Sequence, residues 1–141
     1  MSEPRFVFDT NSVVSALLLK NSISRRAFDR ARTEGAFLVS LATVSELADV
    51  LRRDKFNKYI TELDRQRFLA AYVREATLIE PRVTIRACRD PDDDKFLELA
   101  VDGKASMIVS GDMDLLTLNP FQGILILPPD EFMDYPIADI S

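Results

Sequence analysis

Histidine and tryptophan are absent from this 141-residue chain, and cysteine occurs once, at Cys88. Without imidazole there is no Ser-His-Asp or Cys-His catalysis and no His-ligated zinc. A single cysteine permits neither an intramolecular disulfide nor a thiolate metal cage. With no histidine to activate it, Cys88 reads as a buried or incidental thiol. No run of about 18 apolar residues occurs, so no membrane span is expected. The N-terminal Met1-Ser2-Glu3-Pro4-Arg5 lacks the basic-then-apolar layout of a signal peptide, which points to the cytoplasm. The chemistry left to the chain is that of carboxylates, hydroxyls, Lys, Arg and a hard metal ion.

What is present suits a soluble globular protein: 47% hydrophobic and 29% charged residues. The length suits one domain, residues 1–141, able to bury a core without a disulfide or structural metal. The net charge of −5 is unevenly spread. Residues 1–67 carry 12 Lys/Arg against 9 Asp/Glu, and residues 68–141 carry 6 against 14. A negative total argues against nucleic-acid binding, because affinity for phosphate comes largely from cations. Acids that hold divalent metals offset this balance, since each such ion cancels two charges.

Short apolar runs alternate with helical patterns. Phe6-Val7-Phe8, Phe37-Leu38-Val39, Leu78-Ile79, Met107-Ile108-Val109 and Ile124 to Leu127 read as strands, the last ended by Pro128-Pro129. Helices are expected from Ser12 to about Leu19, and from a Ser22-Ile23-Ser24 cap to Glu34, stopped by Gly35. Thr43 to Arg53 carries Val44, Leu47, Val50 and Leu51 on one face. Residues 62–76 offer Leu63, Phe68, Leu69, Tyr72 and Val73 for packing, and Phe96 to Val101 stops at Gly103. A helical turn is expected near Asp114 to Leu118. The alternation predicts a parallel α/β sandwich.

In such a sheet, strand C-termini and helix N-termini share one edge, where sites form. Four acidic positions fall there: Asp9 after the first strand, Glu46 early in the helix after the second, the Asp92-Asp93-Asp94 run opening a helix, and Asp112 after the strand 107–109. Each has a structural alternative. Asp9 and Asp112 suit helix caps, Glu46 suits a Thr-x-x-Glu capping box with Thr43, and Asp92 to Asp94 suit the helix macrodipole. Independent caps, however, need not put four carboxylates on one edge. From Asp93, the positions three, four and seven on are Phe96, Leu97 and Ala100, an apolar face. From Asp94 they are Leu97, Glu98 and Val101, a mixed face. Asp93 is therefore expected to face the sheet edge, with Asp94 second, and Asp90-Pro91 reads as a turn. Clustered carboxylates repel, and a hard dication such as Mg²⁺ or Mn²⁺ relieves the repulsion. One such ion activates water while another stabilises the leaving oxygen, a route to phosphodiester hydrolysis that needs no histidine.

Phe6-Val7-Phe8-Asp9-Thr10-Asn11, Ser45-Glu46-Leu47 with Leu51-Arg52-Arg53, Asp90 through Ala100, and Ile108-Val109-Ser110-Gly111-Asp112-Met113-Asp114-Leu115-Leu116 together resemble the PIN domain. They are most similar to the branch of toxin components of toxin–antitoxin systems, relatives of the VapC-type toxins. The resemblance spans about residues 5 to 134. It implies a three-layer α/β/α sandwich on a parallel, about five-stranded sheet, and Mg²⁺- or Mn²⁺-dependent cleavage of RNA. It implies Asp9, Glu46, Asp93 and Asp112 as metal-binding and catalytic acids; members often lack an acid matching Asp94. Asn11 and Ser110 become supporting polar groups, and Asp114 an additional acid. It further implies an antitoxin protein partner and a homodimer.

The basic half of the chain then has a use. Arg25, Arg26, Arg30 and Arg32 on one helix, and Arg52, Arg53, Lys55 and Lys58 after Glu46, are candidates to guide RNA phosphates, although a solvated helix face accounts for any one of them. Two other functions stay open. Phe8-Asp9-Thr10-Asn11 begins like the nucleophile loop of a haloacid-dehalogenase-type phosphatase, but Asn11 stands where that family needs a second Asp. A non-catalytic RNA- or protein-binding module on the same fold is the third reading; retention of all four acids argues against it.

Overall fold

The computed structural model describes residues 3–137. Five strands form one parallel sheet: β1 (Arg5–Phe8), β2 (Ala36–Val39), β3 (Thr77–Leu78), β4 (Met107–Val109) and β5 (Leu125–Leu127), in the order β3-β2-β1-β4-β5. Seven helices connect and flank them: α1 (Thr10–Leu18), α2 (Ile23–Glu34), α3 (Leu41–Leu51), α4 (Glu62–Glu75), α5 (Asp94–Asp102), α6 (Met113–Leu116) and α7 (Pro129–Asp134). The chain builds outward from β1 to β3, then crosses through α5 to β4 on the other side. The direction of winding therefore reverses between β1 and β4, where open α/β sheets form their crevice.

The short strands are apolar without interruption because both faces of the sheet are covered. Side chains alternate between the faces. Phe6, Phe8, Phe37, Val39, Met107 and Val109 pack with α1, α2, α3, α4 and α7. Val7, Leu38, Ile108 and Ile126 pack with α5 and Leu115 of α6. This is the three-layer α/β/α arrangement expected from the sequence. The first face is aromatic. Phe28 stacks on Phe37 at 4.7 Å between ring centroids, and Phe8 meets Phe28, Phe37 and Phe132 edge-on.

Several local expectations need correction. Helix α3 starts two residues early, because Ser40 caps it: Ser40 and Thr43 form a reciprocal capping box. Glu46 therefore plays no part in a cap. The expected packing role of Leu63 fails, since this side chain is 60% exposed. Helix α4 instead turns Arg65 inward, fully buried, in line with Phe68, Leu69 and Tyr72. Pro129 does not merely end β5; it sits in the first turn of α7, where its missing N–H costs nothing. Helix α7 is held by Arg30, whose guanidinium donates to the carbonyls of Phe132, Met133 and Tyr135 at 2.6, 2.9 and 2.8 Å. Arg30 is thus a structural clamp, and the sequence-level role of guiding RNA does not fit it.

Between β3 and the 3-10 turn Pro91–Asp93 that precedes α5, the chain runs as a strap with no regular structure. Its amides are satisfied by three carboxylates on one face of α5, four residues apart. Asp102 accepts from Arg82 and Val83, Glu98 from Ile85 at 2.9 Å, and Asp94 from Ala87 and Cys88 at 3.1 and 2.8 Å. Gly103, at the end of α5, leaves no room for a side chain: a Cβ there would collide with Leu38 and the Leu99 carbonyl.

Candidate active site

Asp9, Thr10, Asn11, Glu46, Val50, Arg53, Asp93, Phe96 and Asp112 line one pocket of about 180 Å³. It lies at the C-terminal edge of the sheet, beside the β1/β4 reversal. Asp9 and Asp112 arrive from the ends of β1 and β4, Glu46 from α3, and Asp93 from the 3-10 turn Pro91–Asp93 that leads into α5. The four acids picked from the sequence are brought together.

Asp9 is only 4% exposed. One carboxylate oxygen accepts from the Ser12 amide at 2.9 Å, capping α1, and the other accepts from the Ser110 hydroxyl at 2.5 Å. Capping and site placement coexist in this residue. Burial raises the Asp9 pKa against the pull of these hydrogen bonds. The Ser110 oxygen in turn accepts from the Asp112 amide at 2.9 Å, so one hydroxyl ties two acids together. Asp112 caps α6 by accepting from the Asp114 amide at 2.9 Å.

Asp93 and Asp112 meet carboxyl to carboxyl. Burial, then the contact with Asp112 and its charge, push Asp93 up to about 7. One carboxylate oxygen each from Asp93, Asp112 and Asp114 lies within 4.8 Å of the others. Asp114 thus joins the cluster rather than standing behind it. Asp94 points the other way. Burial opposes its ionisation, but the Cys88 and Ala87 amides outweigh that and hold its pKa below the usual value. The same surroundings, burial first and then Asp94, push the Cys88 thiol up to about 12, so it carries no thiolate at neutral pH.

Glu46 faces the other acids with two partners that the sequence did not single out. The Thr10 hydroxyl donates to Oε2, and Lys95 Nζ sits 3.0 Å from Oε1. The signal was available in part, since Thr10 follows Asp9 and Lys95 follows the acidic run. Asn11 is exposed at the rim. Of the candidate RNA-guiding arginines, Arg53 lines the pocket, and Arg52 is exposed beside it, 3.5 Å from Asp49. Arg25 lies elsewhere, on a cleft formed with Phe28, Phe68 and Tyr72, and pairs with Asp29 at 3.3 Å; Arg26 is exposed on the same helix.

The raised Asp93 has a consequence for the metal-free protein. Between pH ~4 and ~7 the folded state holds a proton that the unfolded state has released, so this group's contribution to stability falls as pH rises through that window. Asp93→Asn removes the penalty. Its melting temperature is expected to gain on that of the native protein between pH 4 and 8 in chelator; an unchanging difference would show that the pair does not share a proton.

Residues 5–114 match the family model of the PIN domain. The chain belongs to the PIN domain family. This PIN domain is 32% identical over 116 residues to the uncharacterized protein MJ1680 of Methanocaldococcus jannaschii, covering 81% of this chain and 74% of the relative. Its fold is similar to that of PAE2754 from Pyrobaculum aerophilum, with a TM-score of 0.60 at 14% identity over 94% of this chain and 88% of that one. It is also similar to a chain in the crystal structure of VapBC2 from Rickettsia felis bound to a DNA fragment from their promoter. There the TM-score is 0.54 at 13% identity, over 86% and 96% of the two chains. At these identities the two structures bear on the fold alone. Membership of the family leaves the phosphatase reading without support. No helix among the described residues is long and apolar enough to cross a membrane.

Proposed function

We propose that this PIN domain is a Mg²⁺- or Mn²⁺-dependent endoribonuclease that hydrolyses RNA phosphodiester bonds. The observation that carries the reading is the meeting of Asp9, Glu46, Asp93 and Asp112 on one pocket at the sheet edge. The donors are all oxygen, which suits a hard dication. The Asp93–Asp112 contact fits such an ion: two carboxyls this close share either a proton or a cation, and burial with the neighbouring Asp112 holds the Asp93 pKa well above the usual carboxylate range. Asp9, Glu46, Asp93 and Asp112 would hold the metal, with Asp114 adjoining. A bound dication supplies an activated water and a stabilised leaving oxygen.

The chain's own groups prepare the rest. The Ser110 hydroxyl fixes the Asp9 carboxylate and, through the Asp112 amide, its distance from Asp112. Thr10 and Lys95 orient Glu46. Asn11 at the rim is a polar contact for substrate, and Arg53 on the wall meets a phosphate, with Arg52 beside it. Arg25 and Arg26 act on RNA only through long-range attraction.

Total RNA incubated with Mg²⁺ or Mn²⁺ should be cut at discrete sites, and exhaustive chelation should stop it. Cleavage unchanged by chelation would defeat the reading, and chelator-insensitive RNA binding without cleavage would favour the non-catalytic module. Asp93→Asn should lower activity by about a hundredfold or more. Asp94→Asn, which keeps an acceptor for the two strap amides, should cost about tenfold, the low end of the range for groups that only support a ligand. The reverse order in a cleavage assay would show that the wrong acid has been placed at the metal. On the same reading the chain is the toxin of a toxin–antitoxin pair and forms a homodimer. A small protein encoded beside it should copurify with it and silence cleavage, and light scattering should give twice the chain mass.

A further inference from the structure

The segment after α3 is unusual in charge and in the way it is held. Residues 52–59, Arg-Arg-Asp-Lys-Phe-Asn-Lys-Tyr, carry four cations and one acid. Glu46 and Val50 of α3 line the acid pocket together with Arg53 of this segment, so α3 runs along the pocket wall and the segment continues from it. Phe56 is the anchor, buried in the core. Lys55 and Lys58 point outward with their ammonium groups over aromatic rings, 5.1 Å from the Phe56 centroid and 5.2 Å from that of Tyr59. None of the ion pairs among the described residues involves Arg53, Lys55 or Lys58. Tyr59 is 62% exposed, a large flat ring presented to solvent among free cations.

The segment is also rigidly closed. The buried Arg65 guanidinium donates to the Leu51 carbonyl at 2.6 Å, the Ile60 carbonyl at 2.5 Å and Asn57 Oδ1 at 3.0 Å, joining the start, middle and end of the loop. Ordering such a loop on binding would otherwise oppose affinity; here the order is built in. An exposed aromatic ring beside unpaired cations is the chemistry that holds an unpaired nucleobase and its phosphates. A protein partner would need acidic and apolar groups matched to both; the excess of positive charge favours a polyanion.

We propose that residues 53–59 form a preformed arm of the site that holds a nucleotide flanking the cleaved bond, Tyr59 stacking on its base and Lys55 and Lys58 holding phosphates. The proposal rests on the nuclease reading. Its test is binding, with cleavage silenced by chelator, of the full chain to a fluorescent unstructured CA-repeat RNA and to an RNA duplex of equal length, followed by anisotropy. Tyr59→Ala should weaken binding to the single strand about tenfold, as expected for one lost stack, and leave duplex binding unchanged. Tyr59→Phe, which keeps the ring, should restore it. Lys55→Ala and Lys58→Ala should each flatten the salt dependence of log K by about one unit. An unaltered single-strand affinity in Tyr59→Ala, or an equal loss on both RNAs, would overturn the arm. Cleavage by the native chain with that result would leave the nuclease standing. The expected pattern in a chain that cuts no RNA would retain the arm and remove the nuclease.

Discussion

Asp9→Asn is expected to abolish RNA cleavage, by well over a hundredfold, while leaving the protein folded. The reason lies in the two separate tasks of this side chain. Capping needs only an acceptor for the Ser12 amide, and Asn caps helices as well as Asp. The amide group can also meet the Ser110 oxygen, so the buried contact is remade with its polarity reversed. What Asn lacks is the negative charge, which burial already makes costly in the native residue. Loss of groups that merely support a ligand costs ~10–100-fold, and loss of the ligand itself should cost more. Activity with RNA and Mn²⁺, read beside a thermal melt, decides the matter. Lost activity with a melting temperature near native supports the metal role. Lost activity with a collapsed melt would mean that Asp9 is a cap and nothing else.

Arg65→Ala is expected to be among the most destabilising single substitutions in the chain, by roughly 3 kcal/mol in urea unfolding. The guanidinium is fully buried with no carboxylate partner among the described residues. Three neutral acceptors and the negative end of α3, whose carbonyls it approaches at Leu51, make the site tolerable for a cation. Removal strands those acceptors and opens a cavity beneath the loop. Arg65→Met keeps the stem's volume and should recover only the packing share of the loss. A change of less than about 1 kcal/mol in either variant would show that the loop satisfies its carbonyls with water.

The order of strands and helices was readable because it is local. Phe6-Val7-Phe8 and Met107-Ile108-Val109 are apolar without a break, which in so small a protein means a strand covered on both sides. Asp93 lines the pocket while Asp94 turns to the strap, the order expected from the apolar face, but Asp93 gets there from the 3-10 turn Pro91–Asp93 and not from a turn of α5, which helical periodicity does not describe. The start of α3 was misread because Ser40 and Thr43 are both competent caps, and only the strand end at Val39 settles which is used. Arg65 was invisible because a charged residue in a helix is ordinarily solvated; its burial is decided by three acceptors that only the tertiary fold assembles. Thr10 and Lys95 were missed as partners of Glu46 for the same reason, being 36 and 49 residues away along the chain.

Beyond Ile79, whose amide still bonds to the Val39 carbonyl of β2, the strap amides of Arg82, Val83, Ile85, Ala87 and Cys88 hang on Asp94, Glu98 and Asp102. Three of the site's acids, Asp9, Glu46 and Asp112, ride on the ends of β1 and β4 or on the helix against them, whereas Asp93 rides on the 3-10 turn into which the strap leads. The cluster therefore joins the sheet edge to the end of the strap. Loosening of the strap would draw Asp93 out of the pocket while α5, whose Phe96, Leu97, Leu99 and Ala100 are buried against Val7, Leu38 and Ile108, and the five strands stay packed.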